Sequence, residues 1–188
     1  MRVIAGKVRH LPLKTPQGPD TRPTTDRIKE TLFNILQPEI AGTRFLDLYA
    51  GSGQIGIEAL SRGASSAVFV EQAREPAECI RQNLAFTKLE PQARLIVRDA
   101  AGALRILDGE EPFDIIFMDP PYGKGLVQET LRILRQTTAA SDRTLVIAEV
   151  AADEDLSWVE EEGWQLLRVK TYKTNAHAFM KLAPAALD

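Results

Sequence analysis

Cysteine is almost absent from this 188-residue chain. The one copy, Cys79, excludes an internal disulfide and suits a reducing cytoplasm. Set in an amphipathic stretch, it reads as a small core residue rather than a nucleophile. Histidine occurs twice, at His10 and His177. These are too far apart to pair by local spacing, and no metal-ligand cluster is visible, so no metal is expected. His177, close to a turn, reads as an ordinary surface histidine. No run approaches the roughly 18 apolar residues of a membrane span. The opening Met1-Arg2-Val3-Ile4-Ala5-Gly6-Lys7 lacks the apolar stretch of a signal peptide, so a cytoplasmic protein with no membrane partner is expected. Internal repeats and low-complexity tracts are missing too. Nor is there an excess of positive charge: a net charge of −3 argues against a protein that coats nucleic acid nonspecifically.

What is present is the composition of one globular domain, 44% hydrophobic and 26% charged. The net charge conceals an asymmetry. Residues 1–29 carry seven basic side chains against two acidic, a balance of +5 that leaves −8 on the remainder. Arg168, Lys170, Lys173 and Lys181 form a second basic group. Two basic ends on an acidic body suggest a local patch for a polyanion.

Residues 15–24, Thr-Pro-Gln-Gly-Pro-Asp-Thr-Arg-Pro-Thr, form the one linker-like stretch. Before it, Val3-Ile4-Ala5 and Val8 to Leu13 suit a short hairpin turning at Gly6-Lys7. After it, Thr24 or Thr25 can cap a helix with apolar positions Ile28, Leu32, Phe33, Ile35 and Leu36, ended by Pro38. From residue 43 strands and helices alternate. Strands are expected at Arg44–Tyr49, Ala67–Val70, Ala93–Val97, Asp114–Met118 and Leu145–Val150. Helices are expected at Ile55–Arg62, Arg74–Leu89, Gly102–Leu107 and Leu126–Arg135. Strands apolar on both faces and joined by helices belong to a parallel sheet covered on both sides, an α/β fold. A last acidic helix, Asp153–Glu161, leads to Trp164–Tyr172 and Ala178–Leu182, joined at Lys173-Thr174-Asn175 with Asn175 in the left-handed turn position. The sheet thus closes with an antiparallel hairpin, seven strands in all. Trp158 and Trp164 are expected to cover the sheet edge.

The first strand runs into Asp47-Leu-Tyr-Ala-Gly51-Ser-Gly53-Gln-Ile-Gly56, and Glu71 follows at the end of the second. Glycines at this spacing let backbone approach a nucleotide, and an acid at the next strand tip accepts from ribose hydroxyls. The triplet alone fits NAD as well as S-adenosylmethionine. Asp47 just ahead of the loop favours a cationic ligand over a pyrophosphate. Asp99, at the third strand tip, could accept from an adenine amino group.

The fourth strand ends in Met118-Asp-Pro-Pro-Tyr-Gly-Lys-Gly125. Neither proline can donate to a ladder, so the strand stops there. Ligands of open α/β sheets bind beyond the strands' carboxyl ends, which puts this turn at the same crevice as the glycine loop. An exocyclic amine on a ring is a poor nucleophile because its lone pair is delocalised. Hydrogen bonds from its two N–H groups to the Asp119 carboxylate and the Pro120 carbonyl would draw the nitrogen towards a tetrahedral shape. The stiff turn holds both acceptors in place beforehand. The face of Tyr122 can stack on the base.

These residues resemble the Rossmann-like, S-adenosylmethionine-dependent amino-methyltransferases with a [D/N]-P-P-[Y/F] motif. With Arg22-Pro-Thr-Thr-Asp-Arg-Ile-Lys-Glu-Thr-Leu-Phe-Asn34 ahead of Asp47 to Gly53, the chain is similar over Arg2 to Leu182 to the RsmD-type family. That family methylates guanine N2 in bacterial 16S ribosomal RNA. The resemblance implies a class I methyltransferase domain over 24–183, with 1–23 as an RNA-contacting hairpin and linker. It implies S-adenosyl-L-methionine as cofactor, with Asp47, Gly51 and Gly53 at its methionine part, Glu71 at its ribose, and Asp99 with Ala100 at its adenine. Asp119, Pro120 and Tyr122 would hold the guanine, and Arg9, Arg22, Thr24, Arg27 and Lys173 would meet RNA. The implied partner is 16S rRNA in a 30S assembly intermediate with ribosomal proteins, the enzyme being a monomer. Alternatives from the residues alone are methylation of adenine N6, cytosine N4 or a protein glutamine, an NAD-dependent oxidoreductase, and a nonenzymatic RNA-binding module.

Overall fold

The structure, a computed structural model, describes residues 1–16 and 25–184. Seven strands form one sheet: β1 (Arg44–Leu48), β2 (Ser66–Val70), β3 (Ala93–Ile96), β4 (Ile115–Met118), β5 (Leu145–Ala151), β6 (Trp164–Thr171) and β7 (Asn175–Leu182). Their order is β3-β2-β1-β4-β5-β7-β6, with the first five parallel and β7 antiparallel to both β5 and β6. The helices are α1 (Asp26–Leu36), α2 (Gln54–Ser61), α3 (Arg74–Thr87), α4 (Ala100–Leu107), α5 (Leu126–Arg135) and the short α6 (Trp158–Glu161).

Alternation along the strands divides the core into two layers, as the two-residue period requires. Leu46, Leu48, Ile116 and Val146 join α4 and α5 on one face. Phe45, Phe69, Phe117 and Ile147 join α1 and α2 on the other. Strands buried on both faces and helices outside them are the expected arrangement, and burial of these side chains is the main stabilising term. Trp164 lies wholly inside, its indole N–H donating to the Leu131 carbonyl at 3.2 Å.

Several local expectations are corrected. The amino-terminal hairpin forms, with Arg2 bridging Pro12 and Val3 N–H donating to the Leu11 carbonyl, but its turn is wider than Gly6-Lys7 and runs on to His10. The amides of that turn go to α2: Ile4 and Ala5 N–H donate to Glu58, and Lys7 N–H to the Ser61 carbonyl. The acidic helix shrinks to α6 because the Asp155 carboxylate accepts from Ser157 N–H and Oγ at 3.0 Å, a local turn that competes with helix. Asn175 is a strand residue rather than the turn residue, so the hairpin turns at Lys173-Thr174. Helix α4 starts at Ala100, since Asp99 caps it by accepting from Gly102 N–H at 2.7 Å. Thr25 caps α1, accepting from Ile28 N–H at 3.3 Å. The linker and the proposed domain boundary at 23/24 lie outside the described residues.

Candidate active site

Strand order reverses between β1 and β4, whose carboxyl ends lie side by side with Leu48 paired to Met118. Open α/β sheets bind ligands at this switch point. A cavity of about 390 Å³ opens there, walled by Tyr49, Glu71, Asp99, Ala100, Asp119 and Pro121 among others. Four of the expected site residues, Glu71, Asp99, Ala100 and Asp119, therefore meet at one place, drawn from three strand ends.

The glycine loop is tied to this wall through Glu71. Gly53 takes φ +80° as the cap of α2, a conformation that costs other residues a Cβ clash. Gly51 N–H donates to Glu71 Oε2 at 2.9 Å, and Ala73 N–H to Oε1 at 2.8 Å. Glu71 thus ties the first two crossover loops together. A carboxylate has about four lone-pair sites, so two remain for ribose hydroxyls. Asp47 is buried beneath the loop and accepts from Gly56 N–H at 3.0 Å. Burial raises its carboxyl from the ordinary range to about 7, with the Gly56 hydrogen bond opposing and the Glu71 charge adding.

Asp119 follows the last residue of β4, Met118, and lines the cavity together with α5 residues Leu126 and Thr130. Its carboxyl is held well above its usual range, first by burial, then by the charges of Glu149 and Asp47. Pro120 is buried, while Tyr122 is 41% exposed. The Tyr122 hydroxyl donates to Glu149 Oε1 at 3.0 Å.

The family model "Conserved hypothetical protein 95" matches residues 1–181. The chain belongs to that family. Within this family, Ribosomal RNA small subunit methyltransferase D of Escherichia coli is 38% identical over 90% of this chain and 84% of its own length. A putative rRNA methyltransferase of Bacillus subtilis, YlbH, is 36% identical over 92% of this chain and 98% of its own. The solved structure of an Escherichia coli putative methyltransferase, yhhF, superposes with a TM-score of 0.85 at 36% identity, covering 97% of this chain and 98% of that one. The RsmD-type resemblance and the Rossmann-like methyltransferase fold both stand.

The expected RNA-contacting residues of this family member are scattered. Lys173 is exposed at the hairpin turn, beside the carboxyl end of β5, where Ala151 pairs Asn175, and so on the crevice side. Arg27 is exposed in the first turn of α1. Arg9 sits in the turn held against Ser61, at the far end of α2, and is not brought to the crevice. Arg22 and Thr24 lie outside the described residues.

The structure adds four residues that the sequence pattern does not assign to the site. Tyr49 adopts φ +61°, unusual for an aromatic residue, and its hydroxyl lies 2.9 Å from Thr130 Oγ1. Glu149, Asn175 and His177 form a buried group: Asn175 Nδ2 donates to Glu149 Oε1 at 2.9 Å, and His177 Nε2 to Oε2 at 3.1 Å. His177 is fully buried, contrary to a surface histidine. Burial alone would raise Glu149; the bond and charge of His177, then Tyr122 and Asn175, outweigh it and hold the carboxyl below its usual range. The available signal was a lone acid inside the apolar run Leu145–Ala151.

Among the described residues, no group of three His, Cys, Asp or Glu side chains is placed to hold a metal ion, and no helix is long and apolar enough to cross a membrane.

Proposed function

We propose that this chain is an RNA methyltransferase that moves a methyl group from S-adenosylmethionine to the exocyclic N2 of a guanine in 16S rRNA. The observation that carries the reading is the position of Asp119. It stands at the switch point, beside the cavity that also holds Glu71 and Asp99, with an acceptor carboxylate at the end of a proline-stiffened turn. The names of the relatives support the substrate class.

The cavity's donor set fits the cofactor. Glu71 retains acceptor sites for a ribose diol, and the capping carboxylate of Asp99, with Ala100, stands where an adenine amine can donate. Gly51 and Gly53 give the methionine part close access to backbone, above the buried Asp47. A diphosphate fits poorly. Two loop amides it would use, Gly51 and Gly56 N–H, are already committed to carboxylates. This counts against an NAD enzyme. S-adenosylmethionine supplies an electrophilic methyl group. The chain's own part is to hold the amine: the Asp119 carboxylate and Pro120 carbonyl accept its two hydrogens, and Tyr122 stacks on the ring. Acceptors fixed in advance lower the reorganisation needed at the transition state.

Lys173 on the crevice side, the exposed Arg27, and Arg22 and Thr24 from the sequence are the proposed RNA contacts. The rest of the body is acidic. A small monomer with so little basic surface meets its base on an assembling 30S particle, where ribosomal proteins help present it, in the cytoplasm. Asp119→Ala is expected to abolish methylation of undermethylated 30S particles while S-adenosylhomocysteine affinity stays within a few-fold. Failure of the unmodified protein to methylate such particles would overturn the substrate assignment. Mass spectrometry of the product separates guanine N2 from adenine N6, cytosine N4 or a glutamine amide.

A further inference from the structure

Resting on the reading above, we infer that Glu149, clamped by His177 and Asn175, is the positioning residue that fixes the Tyr122 ring for stacking on the acceptor base. The two prolines fix the backbone of the turn, and the direction of the Tyr122 ring is set by its side-chain torsions. Its ring is 41% exposed, so packing on the body restrains it only in part. The anchor is its hydroxyl, which donates to Glu149 Oε1 at 3.0 Å.

Strand geometry puts the anchor within reach. Met118, the last residue of β4, pairs Ala148 of β5, so the motif turn that begins at Asp119 leaves the sheet beside Glu149. Across the other ladder Glu149 pairs directly with His177, and Ala151 with Asn175. The carboxylate therefore receives three hydrogen bonds: Asn175 and Tyr122 at Oε1, His177 at Oε2. His177 is set in turn by the Tyr172 hydroxyl, 3.4 Å from Nδ1, and by an edge contact with Phe117.

A strand pairing needs none of this. Ile147 and Phe179 fill the neighbouring positions of the same face with apolar side chains, at no desolvation cost for a charge. Glu149 is instead a buried anion, 7% exposed, satisfied on both oxygens by β7 and turned toward the motif turn. Two of its three donors belong to a rigid antiparallel strand; the third is the tyrosine beside the acceptor site. A carboxylate locked from one side is a fixed peg for the group on the other.

The test compares Tyr122→Phe, Glu149→Gln and the double variant in the full chain. Methylation of undermethylated 30S particles is measured together with S-adenosylhomocysteine calorimetry. A bond to a charged acceptor of this kind leads us to expect a KM for particles raised roughly tenfold by Tyr122→Phe, and by a similar factor by Glu149→Gln. The expected kcat changes less than KM, and the double variant is no worse than the worse single one. Multiplying losses, or a silent Glu149→Gln, would overturn the inference. So would a parallel loss of S-adenosylhomocysteine affinity, the mark of a loosened crevice. A second reading needs no substrate and so separates this inference from the assigned reaction. In protein labelled with 3-fluorotyrosine, the Tyr122 resonance, assigned by its loss in Tyr122→Phe, should shift or broaden in Glu149→Gln. An unmoved resonance refutes the anchor. Should Glu149→Gln not fold, His177→Asn is read in the same way.

Discussion

Phe69 occupies the space that a side chain on Gly56 would need: a Cβ there would lie 2.3 Å from the ring's Cε1. Helix α2 can settle on β2 only because residue 56 has none, and that seat aims Gly56 N–H at Asp47. Gly56→Ala is therefore expected to lower stability by about 1–3 kcal/mol through overpacking. It should also weaken S-adenosylhomocysteine binding as the loop lifts. Urea unfolding with calorimetry checks both, and an unchanged affinity would show that the loop tolerates the shift.

A second expectation concerns the ion cluster that holds the amino-terminal segment. Lys29 Nζ lies 3.5 Å from Glu58 Oε2 and donates to the Arg2 carbonyl, with both side chains fully buried. Arg62 Nε adds a 2.8 Å contact to the same carboxylate. Glu58→Gln leaves Lys29 without its counter-charge and should cost roughly 3–5 kcal/mol. Lys29→Met should cost less, because Arg62 and the Ile4 and Ala5 amides still hold Glu58. The order of the two melting temperatures is the measurement.

Asn83 fastens the returning arm of the same segment. Its Oδ1 accepts from Lys14 N–H at 2.8 Å, while Nδ2 donates to the carbonyls of Lys14 and Ser52 at 3.0 Å. One amide thus links residue 14, just before the linker, to the glycine loop. Asn83→Ala should cost about 1–3 kcal/mol, the penalty for stranding those partners. Amide exchange at Lys14 should accelerate well beyond that in α5, which the change does not touch.

The pH dependence of stability follows from Asp47. Its folded carboxyl titrates at about 7 because it is buried, whereas an unfolded aspartate titrates near about 3.9. The folded state therefore binds the extra proton between these values. Its contribution is fully present below about pH 4 and is lost as pH rises through about 7. Between pH 5 and 7.5, the unmodified protein should lose roughly 2–3 kcal/mol more than Asp47→Asn. Parallel urea curves for the two proteins at both pH values provide the check. Because the Asp47 charge is itself one cause of the raised Asp119 carboxyl, both proteins are compared in an Asp119→Asn background, which removes that coupling.

Local sequence was sufficient for the alternating α/β order, the glycine loop and the acid–proline turn, because each depends on neighbours within a few residues. Short continuous apolar runs make strands buried on both faces, glycine permits the left-handed cap at residue 53, and paired prolines end β4 wherever the chain goes. Long-range partners decided the rest. The amino-terminal residues read as a hairpin and pair as one, but the amides of its turn find Glu58 and Ser61, more than fifty positions away. His177 reads as a surface residue beside a turn, but antiparallel pairing with β5 buries it opposite Glu149. The same pairing turns Asn175 from a turn residue into a donor. Asp119 feels the charges of both Asp47 and Glu149 because three neighbouring strands keep a common register, and no local pattern specifies the register between strands so far apart in sequence.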